Sequence, residues 1–127
     1  MPIIGTSSAL RNYLMVDMGS ARRERLRTLH LDAANRLILD DETAIGTVDS
    51  APLYAREIVG RAIEVGATSI ILVHNHPSGD PRPSTRDVEA TRTLADLCSG
   101  LDIVLLDHLI VGRGEVVSLR ALGLLAQ

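Results

Sequence analysis

The apolar positions along the chain change their period several times, and each change marks an element. Leu10, Leu14 and Met18 recur at helical spacing behind Ser7 and Ser8, either of which can cap a short helix, and Gly19 closes it. From Glu24 the apolar runs shorten. LRTLHL, the turn-like DAAN and RLIL read as a β-hairpin with a four-residue connection. A third strand is expected around TAIGTV, with a bulge or a close backbone approach at Gly46. Ser50 and Pro52 then signal a helix start, and Ile58, Val59, Ala62 and Ile63 keep helical spacing up to a stop at Gly66.

TSIILVH follows as a continuous β-branched and aliphatic run, the pattern of a central strand buried on both faces. Ser84 opens a further amphipathic helix carrying Val88, Leu94 and Leu97 and ending near Gly100. DIVLLDHLIVG, the turn GRGE, the short strand VVSL and a small terminal helix complete the chain. The predicted order is helix, three strands, helix, strand, helix, two strands. That order describes an α/β domain spanning residues 1–127, a mixed sheet with a helix on each side and no internal repeat, linker or low-complexity segment.

Composition changes this picture little. The 127 residues and 13.7 kDa suit one domain with its own core, built from Leu, Ile, Val and Ala because Phe and Trp are absent. A net charge of -3 and a pI near 5.7 give no global attraction to a polyanion. The one basic cluster, ARRERLR at 21–27, is expected to be an ordinary solvated face, so tight nucleic-acid binding is not expected. The single cysteine, Cys98, sits in an apolar pattern and is expected to be a buried structural thiol in a reducing compartment. No apolar run reaches transmembrane length and the start lacks a signal-peptide pattern, which points to a cytoplasmic protein without a membrane partner.

The densest chemistry lies in HNHPSGDPRPSTRD, residues 74–87. On a strand, residues two apart share a face, so His74 and His76 can present two imidazoles to one point. Two neutral histidines are half a zinc site; Asp87, beyond a proline-stiffened loop, can add a third ligand and leave a fourth position for water. The bland alternative is that Ser84 and Asp87 form a capping box at the start of the next helix, and both can hold at once. The letters H-N-H do not point to the nuclease of that name, whose motif letters are dispersed. Each ligating imidazole needs its other nitrogen held, and Asp107 and Asp80 are candidates. Asp107 and His108 can reach the site from a neighbouring strand or form a hydrogen-bonded structural pair.

The spacing H-x-H-x7-S-x2-D, met by His74, His76, Ser84 and Asp87, resembles the JAMM (MPN+/JAB) metalloprotease signature, and HNHPSGDP-x-PS-x-x-D is similar to its RadC branch. AREIVGRAIEVGATSIILVHNHPSGD, GTVDS, LDAANRLI and LLDHLIVGRGEVVSL extend the resemblance from about residue 7 to 125. The resemblance implies a cytidine-deaminase-like mixed sheet, zinc bound by His74, His76 and Asp87, and Ser84 supporting a developing oxyanion. It also implies an upstream glutamate that takes a proton from the attacking water. Glu24, just before the first hairpin strand, occupies that place, with Glu42 as competitor.

The activity implied is zinc-dependent hydrolysis of a peptide or isopeptide bond. The alternative is a DNA-repair-associated or metal-binding accessory protein with little catalysis. A metal-dependent phosphodiesterase would want a second metal or clustered phosphate-binding cations, and neither is seen. Two departures from the family stand out: no N-terminal helix-hairpin-helix-like segment is seen, and the strand after Glu24 carries Arg25, Arg27 and His30 where aliphatic residues are expected.

Overall fold

A computed structural model describes residues 7–18, 23–45 and 54–125 of the chain. Its elements are α1 (Ser7–Met18), β1 (Arg25–Leu31), β2 (Leu37–Ile45), α2 (Ala55–Val65), β3 (Ser69–Asn75), α3 (Thr85–Ser99), β4 (Val104–Gly112) and β5 (Glu115–Ser118). The five strands lie in the order β2-β1-β3-β4-β5. Only the β3–β4 step is parallel. A parallel step needs a crossover, and α3 supplies it.

Alternation along the strands divides the core into two layers. Leu26, Ile70 and Leu72 pack with Ile58 and Ala62 of α2 and with Ala90, Leu94 and Cys98 of α3. Leu29, Leu31, Ile71 and Val73 pack on the opposite face with Leu14 of α1. Every residue of β3 is buried, so the expected central strand is found and its lack of polar alternation is explained by cover on both sides. The mixed sheet with helices on each side is therefore as the sequence predicts. Cys98 is buried as expected, and burial pushes its thiol pKa up.

Two expectations are corrected. There is no separate third strand at TAI, because β2 runs unbroken from Leu37 to Ile45. The register passes from Leu26↔Ala44 to Arg27↔Glu42, so Thr43 is the extra residue of a bulge that lets one strand span the polar DDET stretch. The small terminal helix is not formed; residues 119–123 are turns, with Gly123 at φ 76 and Leu124 N–H bonded to Leu119 O. Gly66 does end α2, at φ 73, where its left-handed backbone closes the last turn. Gly19, Gly46, Ser50 and Pro52 lie outside the described residues.

The polar character of β1 has a structural cause. Arg27 is 4% exposed and pairs with Asp40, to which Tyr13 of α1 also donates at 2.6 Å. This triad pins α1 to the hairpin, so at Arg27 the basic cluster is buried and not a solvated face. His30 is buried with no hydrogen-bond partner for either ring nitrogen among the described residues, and desolvation lowers its pKa. Among the described residues no helix is long and apolar enough to cross a membrane.

Candidate metal centre

His74 and His76 emerge at the end of the central strand, on the face covered by α3. His74 is 3% exposed and His76 20%, with ring centroids 4.7 Å apart. The chain then turns sharply: Gly79, at φ 94, donates its N–H to His76 O, and Gly79 O accepts from Arg113 N–H at 3.1 Å. The same loop brings the Asp80 carbonyl oxygen within 2.8 Å of His76 Nδ1. A carbonyl can only accept, so Nδ1 carries a proton and Nε2 is the nitrogen that becomes a lone-pair donor whenever the ring is neutral.

Asp87 stands in the first turn of α3, in a complete capping box. Ser84 Oγ accepts from Asp87 N–H at 3.0 Å, and Asp87 Oδ2 accepts from Ser84 N–H at 2.8 Å. The same carboxylate also reaches both imidazoles, with Oδ1 3.7 Å from His74 Nε2 and Oδ2 3.5 Å from His76 Nε2. Capping and convergence on the histidines thus coexist, because the cap uses one lone pair of a four-lone-pair group. Ser84 is exposed, and its hydroxyl, although accepting, still carries a proton of its own to donate.

Glu24 Oε1 is 3.6 Å from His74 Nε2. Glu42, the competitor, is paired with Arg25 on the hairpin instead. What holds Glu24 is Asn75, a residue that sequence reasoning passed over. Asn75 is 1% exposed and faces away from the two histidines. Its Oδ1 accepts from Arg25 N–H at 2.7 Å and its Nδ2 donates to Arg23 O at 2.8 Å. The side-chain amide behaves as an extra peptide group and continues the β1–β3 ladder past its last pair, Leu26↔His74, clamping the backbone on both sides of Glu24. The available signal was the amide itself, placed between two histidines on an alternating strand.

Neither carboxylate expected to hold a ring nitrogen does so. Asp80 contributes its carbonyl, while its carboxylate pairs with Arg82. Asp107 accepts from His108 N–H, Ser118 Oγ and Arg120 N–H, a structural role at the turn after β5. His74 Nδ1 meets His108 Nε2 instead, at 2.8 Å.

Burial dominates the electrostatics of His74 and lowers its pKa to about 4, against the pull of Asp87. His76 is raised above the usual value, first by its bond with Asp87. Burial works against ionisation of Asp87, but the bonds from His76 and the Ser84 backbone outweigh it and hold the carboxyl far below its usual range.

Glu24, His74 and His76 each bring one donor atom within 4.8 Å of the others, and Asp87 adjoins both imidazoles. Donors on a tetrahedral zinc at about 2.0–2.1 Å stand roughly 3.4 Å apart. Three separations, 3.5 to 3.7 Å, are a few tenths wider, Asp87 turning Oδ1 to His74 and Oδ2 to His76, and imidazole Nε2 atoms with carboxylate oxygens are donors zinc accepts. The residues fit such an ion.

A mixed five-stranded sheet with a histidine–carboxylate cluster at the end of its central strand defines an α/β domain with a candidate metal site. The sequence profile of the RadC-like JAB domain matches residues 4–124, and the chain belongs to that family. It is 47% identical over 124 residues to a UPF0758 protein of Rhodobacter capsulatus, covering 98% of this chain and 58% of that protein. It is 45% identical over 123 residues to a UPF0758 protein of Ruegeria pomeroyi, covering 97% and 55%. The chain thus spans a little over half the length of these relatives.

Proposed function

We propose that the protein is a zinc-dependent hydrolase of the JAMM type that cleaves a peptide or isopeptide bond, with His74, His76 and Asp87 holding the metal. The observation that carries this is the convergence of His74 Nε2, His76 Nε2 and the Asp87 carboxylate at 3.5 to 3.7 Å, with a second carboxylate, Glu24, beside them. Asp87 is preferred to Glu24 as the ligand because it adjoins both imidazoles and is fixed by the helix cap. When bound, zinc supplies a Lewis acid for the amide carbonyl and lowers the pKa of water to about 7.

The protein's own groups do the rest. The Glu24 carboxylate accepts a proton from the attacking water and passes it to the leaving amine nitrogen. Help of this kind is worth about 100-fold to 10,000-fold. Asn75 keeps Glu24 in reach by fixing the backbone on either side of it. The Ser84 hydroxyl donates toward the oxygen that gains charge as the tetrahedral centre forms. His74 and His76 hold their geometry through the partners of their Nδ1 atoms, the buried His108 ring and the Asp80 backbone carbonyl. An acidic overall balance and the pairing of Arg25 and Arg27 within the fold favour an amide substrate over a nucleic acid.

The test is metal content and amide turnover together. Purified protein is expected to bind about one zinc per chain, the number a His, His, Asp set holds. His74→Ala and Asp87→Ala should abolish uptake, whereas Glu24→Gln should keep zinc and lose turnover on a panel of isopeptide-linked and C-terminal peptide substrates. Stoichiometric zinc in both alanine variants would sink the ligand assignment. Loss of zinc in Glu24→Gln would make Glu24 the ligand. Salt-sensitive submicromolar DNA binding without amide turnover would favour an accessory role in its place.

A further inference from the structure

His108 of β4 is 2% exposed and touches none of the reacting groups above. Its ring bridges two groups: Nε2 lies 2.8 Å from His74 Nδ1, and Nδ1 lies 2.6 Å from Thr91 Oγ1. Thr91, on α3, is fully buried, and its Oγ1 also lies 2.6 Å from the backbone carbonyl oxygen of Asp87. These contacts form one chain, Asp87 O, Thr91, His108, His74, and its end faces the metal position.

The proton order in that chain is determined from the carbonyl end. A carbonyl oxygen has no proton to give, and Thr91 has one. If Thr91 gave it to His108, two oxygens would face each other at 2.6 Å with no proton between them. Thr91 therefore donates to Asp87 O and can only accept from His108. His108 then carries its proton on Nδ1 and turns the Nε2 lone pair toward His74. His74 must donate from Nδ1, and its own Nε2 is left bare, facing Glu24 and Asp87. The reverse order would place a proton on His74 Nε2, where a cation is to bind.

We propose that Thr91 and His108 are positioning residues that fix the tautomer of His74, so that Nε2 is presented as a metal-ligating lone pair before any metal arrives. The proposal deepens the metal-centre reading and rests on it. His76 obtains the same result from the Asp80 carbonyl. In both cases a backbone carbonyl settles the choice, directly for His76 and through two side chains for His74. The first turn of α3 thus acts twice, by the Asp87 carboxylate at the metal position and by the Asp87 carbonyl at the start of the relay. Three buried polar side chains in an otherwise aliphatic layer are disfavoured unless every bond is made, and here every bond is made in only one order.

Long-range proton–nitrogen correlation spectra of uniformly 15N-labelled, metal-free protein at slightly alkaline pH read the tautomers directly. The wild type should show protonated Nδ1 and pyridine-type Nε2 at His74 and His108. Thr91→Val keeps the shape and removes the acceptor, so the His108 proton should move to Nε2 and the His74 proton to Nε2. Zinc affinity, read by competition with a chromophoric chelator, should then fall about 10-fold to 100-fold, the usual effect of losing a partner of a ligating histidine. Thr91→Ser should restore both readouts, which a purely steric role of the threonine would not require. A wild-type His74 protonated at Nε2 overturns the proposal, and this result decides even if Thr91→Val fails to fold. Unchanged tautomers and zinc affinity in a folded Thr91→Val also overturn it. No zinc uptake by a wild type with the expected tautomers counts against the metal centre itself; zinc uptake with the reversed tautomers counts against the relay.

Discussion

Replacing Gly112 by alanine tests whether the His76 loop is held by close packing against the sheet. Gly112 is the last residue of β4, and a Cβ there would stand 2.6 Å from Gly79 O, 2.8 Å from Pro81 Cβ and 2.9 Å from Pro81 Cδ. Carbon atoms rest at about 3.5–4.0 Å, so all three contacts are repulsive. The neighbours yield poorly: Gly79 O is bonded to Arg113 N–H, and Pro81 is a ring with fixed φ. Between them sits Asp80, whose carbonyl holds His76 Nδ1.

Overpacking of this kind costs about 1–3 kcal/mol, and losing the Gly79–Arg113 bond about 1 more. With an unfolding entropy of about 2.1 cal/mol/K for each of the 127 residues, a loss of about 2–4 kcal/mol lowers Tm by roughly 7–15 °C. A displaced loop also carries the Asp80 carbonyl away from His76, which should weaken zinc binding about 10-fold or more. Thermal melts of the metal-free protein and chelator competition measure the two effects separately. A Gly112→Ala protein that melts within a couple of degrees of the wild type and keeps its zinc affinity would refute the close-packing account.

Other consequences are as direct. Gly60 lies inside α2 and an added Cβ meets nothing within 4 Å, so Gly60→Ala should stabilise the protein by about 0.5–1 kcal/mol, read as a higher urea midpoint. Asp40→Asn should destabilise by about 2–3 kcal/mol at neutral pH, because Arg27 is left buried without its counter-charge. Burial disfavours the Asp40 carboxylate, but the bonds from Arg27 and Tyr13 outweigh it and lower its pKa below 3.8. Its stabilisation is therefore complete above that value and is lost as pH falls through the folded-state pKa. The acid limb of the wild-type stability curve should be steeper than the variant's, and equal limbs would contradict the pairing. Zinc must displace any proton on His76, whose pKa is raised above 6.5 chiefly by Asp87. Affinity should thus decline from neutral to mildly acidic pH, and a flat profile would count against His76 as a ligand.

The elements that sequence reasoning located are those whose pattern is set by burial alone. SIILV is apolar because both faces are covered, and Ser84 and Asp87 form the cap that their spacing describes. At β2 the pattern misleads, because Asp40, Asp41, Glu42 and Thr43 look like the end of a strand. The strand continues there because Arg27, Arg61 and Arg25 on neighbouring elements neutralise the three carboxylates. The clustered site residues were legible for a similar reason: strand spacing puts His74 and His76 on one face. Their supports were not, since His108 and Thr91 arrive from β4 and α3, and which β4 side chain reaches His74 depends on a register that includes a shift between Ile70 and Ile71.

That register ties the core to the site more closely than a set of ligands on loops would. Leu72 and His74 face α3, while Val73 and Asn75 face the α1 side. The alternation that sorts two apolar side chains into two core layers therefore also sends the imidazole toward Asp87 and His108 and the amide toward the backbone around Glu24. A slip of one residue would exchange both sets at once, burying Val73 where Leu72 packs and turning His74 away from α3. Because β3 is central, Glu24 can come from the segment entering β1 on one side, His108 from β4 on the other and Asp87 from the crossover that joins β3 to β4, and all three meet His74 at the strand's end. The packing of two hydrophobic layers thus supplies the positional accuracy that the cluster needs. Small changes in those layers, such as a methyl group at Gly112, should be felt at the metal position before they unfold the chain.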